Sequence, residues 1–292
     1  MKLAAIDIGS NAARLLISEV TKQPKQDPVF NKINLVRVPL RLGFDVFETG
    51  EISKAKVKML MQTLKAYQHL LQAYEIKHVY ACATSAMRDA RNSKDIIRKV
   101  KLETGIEIKV ISGQEEASFI YENHVAENLD SDHSYLYIDV GGGSTELTFF
   151  ANGALVSKES FNIGTIRLLK NQIKEKTWDD MKDYVKKYIK SELPSIAIGS
   201  GGNITKILSM SRLKEGKPLS LDLLKDYYKE LSSVSLDERM RLFGLKEDRA
   251  DVIVPALLIY IQVMKWANID EIHVPKIGLA DGLINHLYEQ VK

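Results

Sequence analysis

Asp7 and Asp139 each close a run of apolar residues and are each followed by a turn of small residues. The two stretches are Ile6-Asp7-Ile8-Gly9-Ser10-Asn11 and Ile138-Asp139-Val140-Gly141-Gly142-Gly143-Ser144. A second apolar stretch follows each turn, Leu15-Leu16-Ile17 in the first case and Leu147-Thr148-Phe149 in the second, so one hairpin is written twice. A carboxylate delivered to a strand tip can hold Mg²⁺. A turn without bulky Cβ groups lets backbone N–H groups point inward and cradle phosphate oxygens. A third turn, Gly199-Ser200-Gly201-Gly202-Asn203, runs from a short apolar strand into a helix, where free N–H groups and the helix dipole suit an anion. One such turn alone is an ordinary hairpin closure. Three of them, at strand ends or hairpin tips, point to one phosphate-bearing ligand.

The elements that must carry these turns alternate between strand and helix. Strands are expected over 3–20 as a hairpin, at Asn34–Leu40, His78–Ala83, Ile106–Ile111, Ser195–Ile198 and Glu271–Val274. Val57, Leu60, Met61, Leu64, Tyr67, Leu70 and Leu71 lay one stripe along a helix from Ser53 to Tyr74. Further helices are expected over Lys94–Thr104, from near Glu115, after Gly164, and around Trp178–Ser191. This is an α/β chain. The hairpin pattern restarts at Tyr135 after the polar stretch Glu127–Ser134, which predicts domains 1–126 and 127–292, with the last helix free to pack back on the first.

Bulk properties narrow the classes. The 292 residues carry 41 Lys and Arg against 38 Asp and Glu, a net charge of +3 that gives no basis for a nucleic-acid-binding surface. Cys82 is the only cysteine, so no intrachain disulfide can form; its setting reads as a packed thiol in a strand, and the expected compartment is the cytoplasm. Asp7 interrupts the N-terminal apolar stretch, which argues against a signal peptide. The tract Val252–Ala267 is broken by Pro255, Gln262 and Lys265 and is expected as a core helix rather than a membrane span, although its apolar faces would also serve a homodimer. The six histidines are scattered without ligand spacing, which argues against zinc.

Taken together, Asp7–Asn11 with Arg14, Ala83-Thr84-Ser85-Ala86-Met87-Arg88 with Asn92, Ile111-Ser112-Gly113-Gln114-Glu115-Glu116-Ala117, Asp139–Glu146, Asn162–Leu168 and Gly199–Asn203 resemble the exopolyphosphatase and guanosine pentaphosphate phosphatase (Ppx/GppA) family. The motifs run in order through most of the chain. The resemblance implies two ribonuclease-H-like domains of the actin, sugar-kinase and heat-shock-chaperone superfamily with an active site in the cleft between them. It implies hydrolysis of a terminal phosphoanhydride, a reaction that needs positioned oxygens, neutralised charge and a directed water. Glu116 matches the family's general base, with Glu115 as its rival; without the family, a Glu-Glu pair at a helix start reads as dipole compensation. Asp139 matches the magnesium-associated aspartate, with Asp7 facing it and Glu146 as a further ligand. Gly9, Ser10, Asn11, Gly141, Gly142, Gly143, Ser144 and Thr145 would hold the phosphate, and Gly201, Gly202 and Asn203 would add a third binding turn. Arg88 would clamp phosphate oxygens. Arg14 has two readings, a phosphate ligand or a salt bridge on a strand face.

The departures also carry expectations. Ala12 stands where the family has serine. Gly278-Leu279-Ala280-Asp281-Gly282 resembles the family's Gly-Leu-Arg-Glu-Gly segment with the arginine missing and the acid shortened, which leaves the role of Asp281 open. Arg249-Ala250-Asp251 is read as structural support. Long members carry additional C-terminal helical domains, so processive digestion of very long chains is not expected. The function expected is Mg²⁺-dependent release of orthophosphate from inorganic polyphosphate, with hydrolysis of guanosine pentaphosphate to the tetraphosphate as the alternative. Kinase-type transfer to an acceptor, a non-catalytic guanosine tetraphosphate sensor and an actin-like scaffold are the rival classes.

Overall fold

The computed structural model describes residues 1–22, 27–122, 132–214, 216–275 and 278–292. Its backbone packing separates into two units, Met1–His124 with Gly278–Lys292, and Val125–Ile277. The boundary expected over Glu127–Ser134 falls largely outside the described residues.

In the first unit, β1 (Lys2–Ile8), β2 (Ala13–Thr21), β3 (Val29–Val38), β4 (His78–Ala83) and β5 (Ile108–Val110) form one sheet in the order β3-β2-β1-β4-β5. β1 pairs antiparallel with β2 and parallel with β4. β1 is buried on both faces, which is why it reads as a continuous apolar run rather than an alternation. β3 lies at the edge and is exposed or half-buried throughout. It begins earlier than its sequence pattern predicts because its first residues pair with Ser18–Thr21, and it stops before Pro39, which has no N–H for a ladder. Helix α1 (Leu42–Thr49), not anticipated from the sequence, then leads to α2 (Lys54–Ala73). Ser53 caps α2 by accepting from the Lys56 N–H, and Leu60, Met61, Leu64, Tyr67 and Leu71 face the core as their spacing predicts. Helices α3 (Ser85–Asp89), α4 (Ser93–Thr104) and α5 (Gly113–Glu122) follow. The C-terminal helix, Leu279–Val291, packs on β1, β2, β4 and α5, joining Leu283, Ile284 and Leu287 to a core with Leu3, Ala5, Cys82 and Phe119.

In the second unit, β6 (Ser134–Val140), β7 (Thr145–Ala151), β8 (Ala154–Phe161), β9 (Ser195–Ser200), β10 (Leu219–Ser220) and β11 (Glu271–His273) form a sheet in the order β10-β11-β9-β6-β7-β8. β6 pairs antiparallel with β7 and parallel with β9, which repeats the arrangement of β1, β2 and β4. Each unit is therefore a mixed α/β sheet with a leading antiparallel meander and two parallel strands beyond it, the ribonuclease-H-like order, to which the second unit adds β10 antiparallel at the edge. β8 is at the edge and mostly exposed or half-buried, and its sequence signal is the Asn152-Gly153 turn, both residues at positive φ. The helix Ile253–Ala267 meets the length and composition of a membrane span together with the residues before it, but Leu257, Tyr260 and Val263 are buried in this unit's core with Leu136, Phe149 and Ile204.

Candidate functional site

The two hairpins have the same backbone and opposite electrostatics. In the first, β1 and β2 set Asp7 directly opposite Arg14, and the Arg14 Nη1–Asp7 Oδ2 distance is 2.7 Å, with Asp7 buried. The Asp7 charge is answered within its own hairpin. In the second, β6 and β7 set Asp139 directly opposite Glu146, and their carboxylates bring oxygens within 4.8 Å of each other. Like charges facing across a ladder oppose folding, and two hard oxygen donors at such a spacing suit a divalent cation. Ser160, opposite Glu146 on β8, donates its hydroxyl to Glu146 Oε1 at 2.9 Å and fixes that side chain.

Both tips also turn their peptides in the same sense. The carbonyls of Ser10 and Asn11 accept from the N–H groups of Gly43 and Arg41, each at 2.8 Å. In a trans peptide the next N–H points the opposite way, so the amides of Asn11 and Ala12 face away from α1. In the second unit the Gly141 carbonyl accepts from Thr165 N–H (3.0 Å), Gly142 from Ile166 N–H (2.8 Å), and Gly143 from Arg167 Nε (2.7 Å). The amides of Gly142, Gly143 and Ser144 consequently face away from the helix Thr165–Leu169, a fan of donors suited to phosphate oxygens. Gly164 makes this possible: a Cβ there would lie 2.5 Å from the Gly142 and Gly143 backbone. Thr145, opposite in chain sense to the loop, donates its hydroxyl to the Ile163 carbonyl at 2.6 Å and ties the loop's far end to the same segment.

Around the first tip, Ser10 Oγ accepts from Ala86 N–H at 3.2 Å, which ties the hairpin to α3. Arg88 on α3 is half-buried, and its Nη1 donates to the Ile111 carbonyl at 2.7 Å, just before α5. Asn92 exchanges side-chain hydrogen bonds with the backbone of Ile52 and is a structural brace.

Glu115 and Glu116 stand in different settings at the start of α5. Ser112 N–H donates to Glu115 Oε2 at 2.9 Å while Glu115 N–H donates to Ser112 Oγ at 3.1 Å, a reciprocal helix cap, and Lys109 Nζ reaches Glu115 Oε1 at 2.9 Å. These bonds to the charged form, the backbone one foremost, pull the Glu115 carboxyl down to about 2. Glu116 is instead buried, and with Asp7 its charge raises the buried Cys82 thiol further above the level that burial alone gives. A depressed carboxyl stabilises the fold above its unfolded value and loses that contribution as pH falls toward its folded value. Glu115→Gln is thus expected to lower stability at neutral pH by no more than about 1 kcal/mol, because solvent screens this exposed carboxylate, and thermal melts should show the gap from wild type closing as pH drops from 5 toward 2.

The third turn sits beside Asp139, which pairs in register with Ser200. Gly201 has φ 98°, a conformation that disfavours side chains, and a Cβ there would lie 3.1 Å from Asp139 Oδ1. The Tyr260 hydroxyl donates to the Ser200 carbonyl, and burial with the Asp139 charge holds that phenol well above its ordinary range. Two residues here exceed their sequence reading. Arg249 donates from Nη1 to Asn203 Oδ1 at 2.8 Å and covers Gly202, whose Cβ would lie 2.8 Å from the guanidinium. Arg167 shapes the triglycine loop. Arg167 lies inside the Asn162–Leu168 motif, and Arg249 opens the stretch expected to be structural support. Asp281 accepts from Gly278 N–H at 2.9 Å, capping the C-terminal helix, and pairs with Lys32 at 2.7 Å.

The sheet order repeated in the two units is that of the actin-like, ribonuclease-H-like fold, and an acidic pair beside outward-facing glycine amides has the chemistry to suit a divalent cation and an anion. Comparison with known proteins gives the family. The model of the Ppx/GppA phosphatase family matches residues 20–290, and the chain belongs to that family, whose members are phosphoanhydride hydrolases. Among curated relatives, the chain is 31% identical over 316 aligned residues to a bifunctional 3-dehydroquinate synthase/phosphatase of Fusobacterium nucleatum, covering 99% of this chain and 46% of that protein, so it spans about half of that relative's length. It is 23% identical to exopolyphosphatase 1 of Mycobacterium bovis, over 97% of this chain and 87% of the relative. Among solved structures, an exopolyphosphatase from Cytophaga hutchinsonii superposes with a TM-score of 0.85 at 26% identity, covering 100% of this chain and 99% of the other.

Proposed function

We propose that this protein is a cytoplasmic, Mg²⁺-dependent exopolyphosphatase that releases terminal orthophosphate from inorganic polyphosphate by attack of water. The observation that carries the reading is the Asp139–Glu146 pair at a strand tip whose next residues form a loop of outward-turned amides. A divalent cation held by Asp139 and Glu146 would neutralise phosphate charge and polarise a phosphoryl oxygen. The amides of Gly142, Gly143 and Ser144 would bind the phosphate being transferred, with those of Asn11 and Ala12 and the Arg88 guanidinium on the same substrate. Glu116, the member of its pair not committed to capping, would orient the water and accept its proton. Asp7 is assigned to holding Arg14 rather than to the cation, because their ion pair already matches charge with charge. The cytoplasmic assignment rests on the buried free thiol of Cys82 in a chain without a disulfide.

Guanosine pentaphosphate presents the same run of anhydrides, and the turn Gly201–Asn203 offers a place for a nucleoside. Orthophosphate release should therefore be compared at equal Mg²⁺ across short polyphosphate, long polyphosphate and guanosine pentaphosphate. Faster release per enzyme from polyphosphate is expected; preference for the guanosine substrate would replace the first reading with the second. Tight binding of guanosine tetraphosphate with no turnover of any substrate would favour a sensor.

A further inference from the structure

We propose that Gly282 and His286, on one face of the C-terminal helix, are positioning residues that seat α5 and through it Glu116. The proposal rests on the reading that Glu116 directs the water. A Cβ at position 282 would lie 1.9 Å from the Phe119 carbonyl oxygen and 2.5 Å from its carbonyl carbon, so the two helices meet backbone to backbone at that point. No side chain fits there, and the obstacle is main chain rather than a flexible tip. One turn further along, the His286 ring packs edge-on against Phe119 at 4.9 Å between centroids and against Tyr80 at 5.4 Å. Both contacts fall on Phe119, three residues and so nearly one turn beyond Glu116. Tyr80, on β4, packs against Phe119 at 5.9 Å and closes the socket from the sheet side.

A helix gripped at its main chain moves as a body, so what shifts Phe119 shifts Glu116. Restoring an ordinary contact distance around an added methyl at 282 needs a separation of roughly 1.5–2 Å. A displacement of about 1 Å at a group that aims a reactant can cost about 10²-fold in rate. The residue acts through α5 and touches no substrate itself, which predicts a loss in turnover rather than in binding.

Gly282→Ala, His286→Ala and, as a matched loosening of the same helix, Leu287→Ala should be compared for kcat and KM on medium-chain polyphosphate, for melting temperature, and for amide hydrogen exchange over residues 113–119. The expected result is a kcat loss of about 30-fold or more for Gly282→Ala and about fivefold for His286→Ala, with KM changed by less than about threefold. Exchange over 113–119 should rise in both, while Leu287→Ala keeps its kcat within about twofold at an equal or larger loss of melting temperature. If Gly282→Ala does not fold, His286→Ala decides. Wild-type kcat and wild-type protection of 113–119 in His286→Ala would overturn the proposal, as would kcat losses that simply track melting temperature across all three variants. A wild-type protein releasing no orthophosphate would instead remove the proposed function, and exchange over 113–119 would still decide the seating.

Discussion

Glu116→Gln is expected to reduce orthophosphate release from polyphosphate by about 10²–10⁴-fold, the range a positioned general base contributes, with little change in KM. The substitution keeps the shape and the hydrogen-bonding reach of the side chain but removes its ability to take a proton. The reason for choosing this glutamate over its neighbour is local. Glu115 completes a reciprocal cap with Ser112 and an ion pair with Lys109, and those bonds hold it ionised and turned to the helix end. A carboxyl held near 2 is a poor proton acceptor at neutral pH. Glu116 is buried, and its backbone N–H is already satisfied by the Ser112 carbonyl at 2.9 Å. Glu115→Gln is the charge-matched control, expected to lose stability but to keep activity within a few-fold. If the two variants exchange behaviours, the roles are reversed.

The second large effect is expected at the acidic pair. On the proposed function, Asp139→Asn should lower activity by at least about 10²-fold at a fixed Mg²⁺ concentration, since it would halve the charge offered to a cation that polarises the phosphoryl group. Stability should move the other way. With no cation, Asp139 and Glu146 repel across β6 and β7, so the asparagine variant should melt at the same temperature as wild type or higher. Added Mg²⁺ should raise the wild-type melting temperature by binding the folded state and raise that of Asp139→Asn much less. The corresponding change in the first hairpin, Asp7→Asn, breaks an ion pair instead and strands the Arg14 guanidinium, so it should destabilise the fold whether Mg²⁺ is present or not. The two hairpins would then be separated by experiment as they are by their partners, Arg14 in one and Glu146 in the other.

This contrast also marks how far the sequence could be read. The doubled hairpin, the stripe of α2 and the strand leading into Gly199–Asn203 were legible because apolar periodicity and small-residue turns are local properties. The pairing register was not, and register is what gives Asp7 an arginine and Asp139 a glutamate. Arg14 has two readings in the sequence, phosphate ligand or salt bridge, and β1 and β2 place it 2.7 Å from Asp7. The cap at Glu115 was written in the sequence as Ser112-Gly113-Gln114-Glu115, the pattern in which a serine and a glutamate three residues on satisfy each other. The contact of Gly282 with Phe119 joins positions more than 160 residues apart and leaves no local trace beyond a glycine inside a helix. Helix α1 and β8 were missed for a related reason. β8 shows no apolar alternation and leaves Leu155 and Val156 exposed, and each element is held by neighbours, α1 through Arg41 and Gly43 on the first hairpin and β8 through its ladder with β7.

The most direct test is ³¹P NMR of a defined-length polyphosphate incubated with the protein and Mg²⁺, because it counts orthophosphate, chain ends and internal phosphates in one spectrum. Orthophosphate growing at the expense of internal phosphates, with the number of chain ends held constant until the chains are short, is the result expected of water attack at the terminal phosphorus. Chain ends multiplying without orthophosphate, or a spectrum that does not change, would contradict it.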